Sequence, residues 1–307
     1  MQIAMNSKEY LAELRSKLAD RRDVEFSSEP LRYAKGEYEF VRIASRPIGP
    51  TDKVLLLRAG LHGEEIAGPL SLLEYGREIF DHAAARAVKL IVYPLANPSG
   101  FEHGTRYNVD GDRGDAGNGD FLRYELADGT LVDDLKSGNE FKRWFWSSDP
   151  VVKAHLPLET RVMQRKFKSE PLDRIAAVVD LHQDFITPDV SAAAYHYAFG
   201  DLSAYAPIIK DVASVVPLLR NTPIGAGFYA KLTESGVSVS EVPESEKLIS
   251  DENGLIVRHD GSLPDLMYRL GTKNCVTVET TGATPLIKAI EVNRIWIRGI
   301  IDLIGQK

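Results

Sequence analysis

One uninterrupted apolar segment constrains the fold of this chain more than any other: residues 53–60, Lys-Val-Leu-Leu-Leu-Arg-Ala-Gly. A continuous apolar run bounded by polar residues is typical of a strand buried within a parallel sheet. Residues 64–80 follow with apolar side chains at helical spacing, and Gly60 and Gly63 permit a tight turn before them. The segment therefore predicts a strand–turn–helix unit of an α/β fold.

His62 and Glu65 lie in that predicted turn, three positions apart. Ligands of open α/β sheets bind beyond the carboxyl ends of the strands, so the imidazole and the carboxylate can converge there. A His-x-x-Glu pair alone is weak evidence for metal, because most such pairs are solvated polar residues. The hypothesis of a metal centre therefore depends on what the other strand ends carry.

Three more apolar segments predict strands with a turn or a polar residue at the end: 88–93 before the turn at 97–101, 175–181 before His182, and 274–278 before Glu279. Other patterns predict helices over 1–22, 202–219 and 285–304, and strands over 37–48 and 192–199. Strands alternating with helices predict one α/β domain over residues 1–307, with a mixed, mostly parallel sheet flanked by helices. Within it we expect an N-terminal surface helix inside residues 1–30 and loop or lid excursions at 108–170 and 232–262.

Charge and cysteine content exclude several classes of protein. The chain has 44 acidic and 37 basic residues, and the basic ones are not clustered, so a nucleic-acid partner has no electrostatic support. Cys275 is the only cysteine, which excludes an intrachain disulfide and a thiolate metal cluster. The N-terminus lacks the pattern of a signal peptide, and no apolar run is long enough to cross a membrane. We therefore expect a cytoplasmic protein without a membrane or nucleic-acid partner, and the sequence does not predict its oligomeric state.

Two histidines and one glutamate would give Zn²⁺ three protein ligands and leave one position open, as in catalytic rather than structural zinc sites. Zinc acidifies a water molecule and polarises a carbonyl group. Hydrolysis then needs a second carboxylate that accepts the proton and passes it to the leaving amine. The position of Glu279 after a predicted strand suits that role.

In chain order, these residues resemble the zinc carboxypeptidase superfamily, which includes the succinylglutamate desuccinylase and aspartoacylase branch. The resemblance covers roughly residues 37–300 and rests on five segments: His62-x-x-Glu65, Asn97-Pro98-Ser99-Gly100-Phe101, Arg106, Asp180-Leu181-His182 and Thr277-Val278-Glu279. It implies a central mixed sheet flanked by helices, and one Zn²⁺ per chain held by His62, Glu65 and His182. It also implies that Arg106 stabilises the oxyanion and that Glu279 is the general base and acid.

The predicted substrate-binding residues, Asn108, Asp112 and Arg113, belong to a glycine-rich acidic loop over residues 108–120. Superfamily members usually carry an Asp-x-Asn-Arg segment that grips a substrate carboxylate, and the nearest match here has Asp112 where asparagine is expected. Arg113 can still bind a carboxylate through two hydrogen bonds, whereas Asp112 cannot donate one and adds negative charge. The pair would suit a substrate end that carries both an ammonium and a carboxylate group. Alternatively, Asp112 only pairs with a neighbouring arginine.

Two enzymatic functions fit this set: a metallocarboxypeptidase acting on small peptides, and a deacylase acting on N-acyl amino acids. A third hypothesis is a ligand-binding relative that has lost catalysis, although a pure binder would not need Glu279. Each residue also has a structural interpretation. Both histidines could be ordinary residues of a helix start or strand end, Arg106 could pair with the acidic loop, and Glu279 could be a solvated carboxylate.

Overall fold

The computed structural model describes residues 5–33, 36–108, 122–132, 141–146, 158–185, 191–224, 228–233, 236–241, 248–257 and 262–305. The helices are α1 Ser7–Lys17, α2 Ala67–Ala85, α3 Pro98–His103, α4 Leu158–Lys168, α5 Ala206–Val215, α6 Leu263–Arg269 and α7 Leu286–Ile304. The strands are β1 Val24–Tyr33, β2 Gly36–Ser45, β3 Lys53–Ala59, β4 Val88–Tyr93, β5 Leu122–Glu125, β6 Leu131–Val132, β7 Arg143–Trp146, β8 Ile175–Leu181, β9 Ala194–Gly200, β10 Pro223–Ile224, β11 Phe228–Thr233, β12 Gly236–Glu241, β13 Leu248–Ile249, β14 Leu255–Ile256 and β15 Asn274–Thr280. Short 3₁₀ turns cover Leu172–Arg174 and Leu202–Tyr205.

Eight strands form the central sheet, in the order β1-β2-β4-β3-β8-β15-β9-β14. The four central strands, β4, β3, β8 and β15, are parallel, whereas β2 pairs with β4 and β9 pairs with β15 in the antiparallel sense. The predicted α/β class with a mixed, mostly parallel sheet flanked by helices is confirmed. Because the four central strands run in one direction, their carboxyl ends meet at one edge of the sheet.

Helices cover both faces of this sheet, and alternating side chains of β3 show the two layers. Leu55, Leu57 and Ala59 pack in the core under α1, α2, α5 and α7. Val54 and Leu56 pack in the opposite core, with side chains of α4 and α6. A strand that is buried on both faces needs apolar residues at every position, which explains the uninterrupted apolar run in the sequence.

The predicted N-terminal helix exists, but the prediction that it covers residues 1–30 and lies on the surface is wrong. Residues 24–30 belong to strand β1, which forms a hairpin with β2, and only two residues of β1 are buried. The strand therefore lacks the strong apolar pattern that revealed the central strands. The helix α1 is shorter than predicted, and Tyr10, Leu11 and Leu14 bury one of its faces in the core.

The predicted excursions also contain regular structure. In the first, β5, β6 and β7 form a small antiparallel sheet, and α4 buries Val162, Met163 and Phe167. In the second, β12 completes a hairpin with β11, which begins before the excursion, and β14 joins the central sheet beside β9. The predicted 97–101 turn starts the short helix α3, and only residues 206–215 of the predicted 202–219 helix are α-helical. Among the described helices, none has the length and apolar character that crossing a membrane requires.

Candidate active site

His62, Glu65 and His182 are buried together at the carboxyl edge of the central sheet. The strands β3 and β8 are neighbours with Ala59 opposite Leu181, so the residues that follow them leave the sheet side by side. His182 comes directly after β8, and the turn that carries His62 and Glu65 ends where α2 begins, at Ala67. The structure therefore brings together the three residues predicted as metal ligands.

The ligand atoms of these three residues converge on one point. The Nδ1 atom of His62 lies 2.7 Å from Glu65 Oε1, and the Nδ1 atom of His182 lies 2.8 Å from Glu65 Oε2. The two Nδ1 atoms face each other at 3.2 Å. Two nitrogen ligands at about 2.0–2.1 Å from a tetrahedral zinc ion would lie about 3.3–3.4 Å apart. The donor set and the spacing of the two nitrogen atoms therefore fit one zinc ion.

The electrostatics of the group also favour a cation. Burial opposes ionisation of Glu65, but the two imidazoles outweigh it and hold the pKa of this carboxyl well below its ordinary value. Burial likewise disfavours a charged His182, yet Asp180 and Glu65 raise the pKa of this imidazole well above its ordinary value. The carboxylates thus attract positive charge at His182, and a metal ion can supply it in place of a proton.

Glu279 is a second buried carboxyl at this edge, and it lies within β15 rather than after its end. Burial raises its pKa well above the ordinary value, His182 and Arg106 act in the opposite direction, and Glu65 and Asp184 reinforce the rise. The neighbouring carbonyl of Val278 accepts a hydrogen bond from the His182 backbone N–H at 2.9 Å. Glu279 Oε2 has no hydrogen-bond partner in the part of the chain that the structure describes. A buried carboxyl with one unsatisfied oxygen is suited to exchange a proton with a bound molecule.

Arg106 approaches the same group from the turn after α3. Its Nη1 atom lies 3.0 Å from Glu65 Oε1 and 3.6 Å from Glu64 Oε1. Its backbone carbonyl accepts hydrogen bonds from the Gly63 N–H at 3.2 Å and from Asn97 Nδ2 at 3.3 Å. These bonds tie the turn after β4 to the turn after β3, and so fix the arginine beside the metal ligands.

Comparison with known proteins gives one family-model match and several solved structures of the same fold. Residues 51–124 match the family model of the succinylglutamate desuccinylase/aspartoacylase catalytic domain. No curated protein matches the chain. A proposed metallopeptidase from Shewanella amazonensis SB2B superposes with a TM-score of 0.65 at 19% identity, over 98% of this chain and 94% of that one. The family-model match covers 74 of the 307 residues, and the solved structure shows a shared fold.

Two solved carboxypeptidases share the fold of this chain at low identity. A metallo-carboxypeptidase from Burkholderia cenocepacia has a TM-score of 0.58 at 11% identity, over 98% of this chain and 69% of that one. Carboxypeptidase A from Helicoverpa armigera has a TM-score of 0.58 at 12% identity, over 96% of this chain and 71% of that one. At such identities the likeness shows the fold alone, so the chemistry of this chain must be argued from its own residues.

Of the three predicted substrate-binding residues, the structure describes only Asn108. Asn108 is buried, and its Nδ2 donates to the Tyr33 hydroxyl at 3.3 Å. Asp112 and Arg113 lie outside the described residues, so their roles stay predictions. Arg106 pairs with Glu64 and Glu65, which the sequence did not predict.

Several buried polar residues near the site were missed from the sequence. Tyr195, opposite Glu279 in β9, donates its hydroxyl to Asp184 Oδ2 at 2.8 Å. Arg58 lies at the end of β3 and pairs with Asp180 of β8. Arg58 could have been noticed, because a charged residue inside an apolar run that is predicted to be buried needs a buried partner. Nothing in the local pattern indicates Asp184 or Tyr195.

Glu159 of α4 is a further buried carboxyl, next to the Asn97 turn. The Ser99 hydroxyl donates to Glu159 Oε1 at 2.7 Å, and Oε2 has no hydrogen-bond partner among the described residues. Burial raises the pKa of Glu159 to about 8 from an ordinary value of 4.5. The carboxyl is therefore mainly protonated in the folded protein at neutral pH, whereas it is ionised in the unfolded chain.

This difference predicts a pH-dependent stability. As pH rises from 4.5 through 8, the unfolded chain releases the Glu159 proton first, so the folded state loses stability. A shift of this size corresponds to about 4–5 kcal/mol once the pH exceeds both pKa values. Replacing Glu159→Gln removes the ionisation and keeps an acceptor for Ser99. We expect urea unfolding to show near-wild-type stability at pH 5 and a gain of about 2–4 kcal/mol at pH 9.

The exposed Glu252 provides the matched control, because Glu252→Gln changes the same chemical group in contact with solvent. This variant should keep the wild-type loss of stability between pH 5 and pH 9. If Glu159→Gln loses as much stability as wild type over that range, the carboxyl is ionised in the folded protein and the prediction is wrong.

Proposed function

We propose that this chain is a zinc-dependent hydrolase that cleaves an amide bond adjacent to a carboxylate-bearing residue, in the manner of a metallocarboxypeptidase. The observation that carries the proposal is the convergence of His62, Glu65 and His182, with facing Nδ1 atoms 3.2 Å apart. The buried Glu279 and the Arg106 guanidinium, which interact electrostatically with this group, support a catalytic rather than a purely structural metal.

His62, Glu65 and His182 would hold the zinc ion through two imidazole nitrogens and one carboxylate. When bound, zinc acidifies water and polarises a carbonyl group. Three protein ligands leave a coordination position free, which structural zinc sites do not.

Glu279 supplies the proton transfers in this proposal. Its carboxylate takes a proton from the attacking water and then delivers it to the nitrogen of the leaving amine. The positive charge of Arg106 favours the ionised carboxylate that the first transfer requires, and a dication held by His62, Glu65 and His182 would act in the same direction.

Arg106 stabilises the negative charge that develops on the substrate oxygen in this proposal. One of its guanidinium nitrogens is 3.0 Å from Glu65, which orients the side chain toward the metal ligands. The other N–H groups of the guanidinium can then donate hydrogen bonds to the substrate oxygen that becomes negatively charged during attack.

A second candidate function is hydrolysis of an N-acyl amino acid by the same residues. The match of residues 51–124 to the succinylglutamate desuccinylase/aspartoacylase domain favours it, because that segment carries His62, Glu65 and Arg106. Both reactions break a C–N amide bond near a carboxylate, so the two candidates differ in substrate rather than in chemistry. The predicted roles of Arg113, Asp112 and Asn108 in substrate binding belong to either proposal.

Metal analysis and a substrate panel test the proposal together. Protein purified without chelator should contain about one zinc ion per chain, and removal of zinc should abolish hydrolysis until zinc is returned. The panel contains peptides with varied C-terminal residues and a set of N-acyl amino acids. Preference for the peptides supports the carboxypeptidase, and preference for the N-acyl amino acids supports the deacylase.

Two results would contradict the proposal. Absence of zinc, with no binding of added zinc, would remove the metal centre. Stoichiometric zinc without hydrolysis of any panel member would favour a ligand-binding relative that has lost catalysis.

A further inference from the structure

The pair formed by Arg58 and Asp180 lies beneath the metal ligands, in the interior of the sheet. The two residues are opposite each other in the parallel register of β3 and β8, and each is only 1% exposed. Arg58 Nε donates to Asp180 Oδ1 at 2.9 Å, and Arg58 Nη2 contacts Asp180 Oδ2. Two parallel hydrogen bonds hold the carboxylate in one orientation.

A contribution to stability does not by itself explain why this ion pair is buried in the sheet. Removing two charges from water carries a large desolvation cost, and apolar residues of similar volume often serve as well or better. The other residues of β3 after Lys53 are apolar and buried, so an apolar residue at position 58 would continue the pattern of the strand. The buried charges are therefore better explained by what they contact than by stability alone.

Asp180 connects the pair to the metal ligands. Asp180 and His182 are two positions apart where β8 ends, and Asp180 Oδ2 lies 3.3 Å from His182 Nε2. The other ring nitrogen, Nδ1, faces Glu65 and His62. The imidazole therefore spans the distance between a fixed carboxylate and the predicted metal position.

We propose that Arg58 and Asp180 are positioning residues for His182. Asp180 accepts the Nε2–H of His182, which leaves the lone pair of Nδ1 directed at the metal, and Arg58 fixes the orientation of Asp180. A carboxylate behind a ligating histidine sets its tautomer and ring orientation and makes it a stronger ligand. The inference rests on the metal centre proposed above and assigns it two further residues.

Zinc affinity of the metal-free protein tests this inference without any assay of activity. Titration in competition with a chromogenic chelator gives the dissociation constant, and urea unfolding of the same samples reports the fold. We expect Asp180→Asn to weaken zinc binding about 10- to 100-fold, the usual effect of losing such a partner. Arg58→Met should weaken it in the same direction, and Arg58→Lys, which keeps the charge but not the paired bonds, should lie between Arg58→Met and wild type.

Either single variant leaves one buried charge unpaired and can unfold the protein, so the double variant Arg58→Met/Asp180→Asn decides the question. It removes both charges at once, and it should fold while binding zinc about 10- to 100-fold more weakly than wild type. Because the two residues act as one unit, the double variant should lose no more zinc-binding free energy than the two single variants lose together.

The pair between Arg42 and Glu170 is the matched control. Its two hydrogen bonds, 2.5 and 2.7 Å, are bidentate like those of Arg58 and Asp180, and Glu170 also accepts a hydrogen bond from the Tyr93 hydroxyl instead of from a metal ligand. Arg42→Met/Glu170→Gln should leave the zinc dissociation constant unchanged. A folded Arg58→Met/Asp180→Asn protein with wild-type affinity would overturn the inference, as would equal weakening in the control. Failure of the wild-type protein to bind zinc would instead overturn the metal centre itself.

Discussion

Replacing Glu279→Gln should reduce turnover by about 100- to 10,000-fold while leaving zinc content near that of wild type. The amide has nearly the shape of the carboxyl, but it cannot accept the proton of the attacking water. Glu279 is not among the three residues whose ligand atoms converge, so the metal should stay in place. The measurements are kcat with the best substrate of the panel and zinc content by elemental analysis.

Glu64 is the control for this experiment. It lies in the same turn as Glu65 and 3.6 Å from Arg106, and burial raises its pKa, so it is another carboxyl near the site that could serve as base. Glu64→Gln should retain most of the activity. The opposite result, with Glu279→Gln active and Glu64→Gln inactive, would assign the base to Glu64.

Gly63→Ala should disrupt both the fold around the site and zinc binding. A Cβ at position 63 would lie 2.0 Å from the Gly100 carbonyl carbon and 2.2 Å from the Phe101 nitrogen. Both atoms belong to the backbone of α3, so no side-chain rotation can relieve the contact. We expect a loss of about 3 kcal/mol or more in urea unfolding, the upper range for overpacking. Zinc affinity should fall as well, because Gly63 adjoins His62 and donates its N–H to the Arg106 carbonyl.

Gly76→Ala adds the same methyl group where the structure has room. Gly76 lies within α2, and a Cβ there would meet only Leu14 Cδ1, at the ordinary contact distance of 3.4 Å. Alanine favours a helix over glycine by up to about 1 kcal/mol, so stability should stay level or rise. If Gly63→Ala keeps wild-type stability and zinc affinity, the turns after β3 and β4 can move apart without loss of either, and the prediction is wrong.

Much of the central sheet could be predicted from the sequence. Residues 88–93 and 175–181 are strands with the predicted bounds. The strand predicted over 53–60 covers residues 53–59. Strands that are buried between two helical layers must be apolar at every position, so their pattern is local and strong. The same patterns place the residues that follow each strand at one edge, which is why the metal ligands could be predicted together.

Other elements depend on partners that the local pattern does not reveal. The exposed pattern of β1 gave no strand signal, and its residues are extended because they pair with β2 over the whole hairpin. The burial of α1 was missed because its apolar face is narrow. In both cases a tertiary neighbour decides the outcome.

The sequence by itself determined the fold class, the strands of the core and the identity of the three candidate ligands, because these follow from apolar periodicity and from residues at strand ends. Only the tertiary structure decided that the two Nδ1 atoms face each other, that Arg106 contacts Glu65, and that Arg58 and Asp180 lie behind His182. Those contacts join residues 41 to 122 positions apart. Their distances are set by the register of neighbouring strands and by packing between turns, which no local pattern encodes.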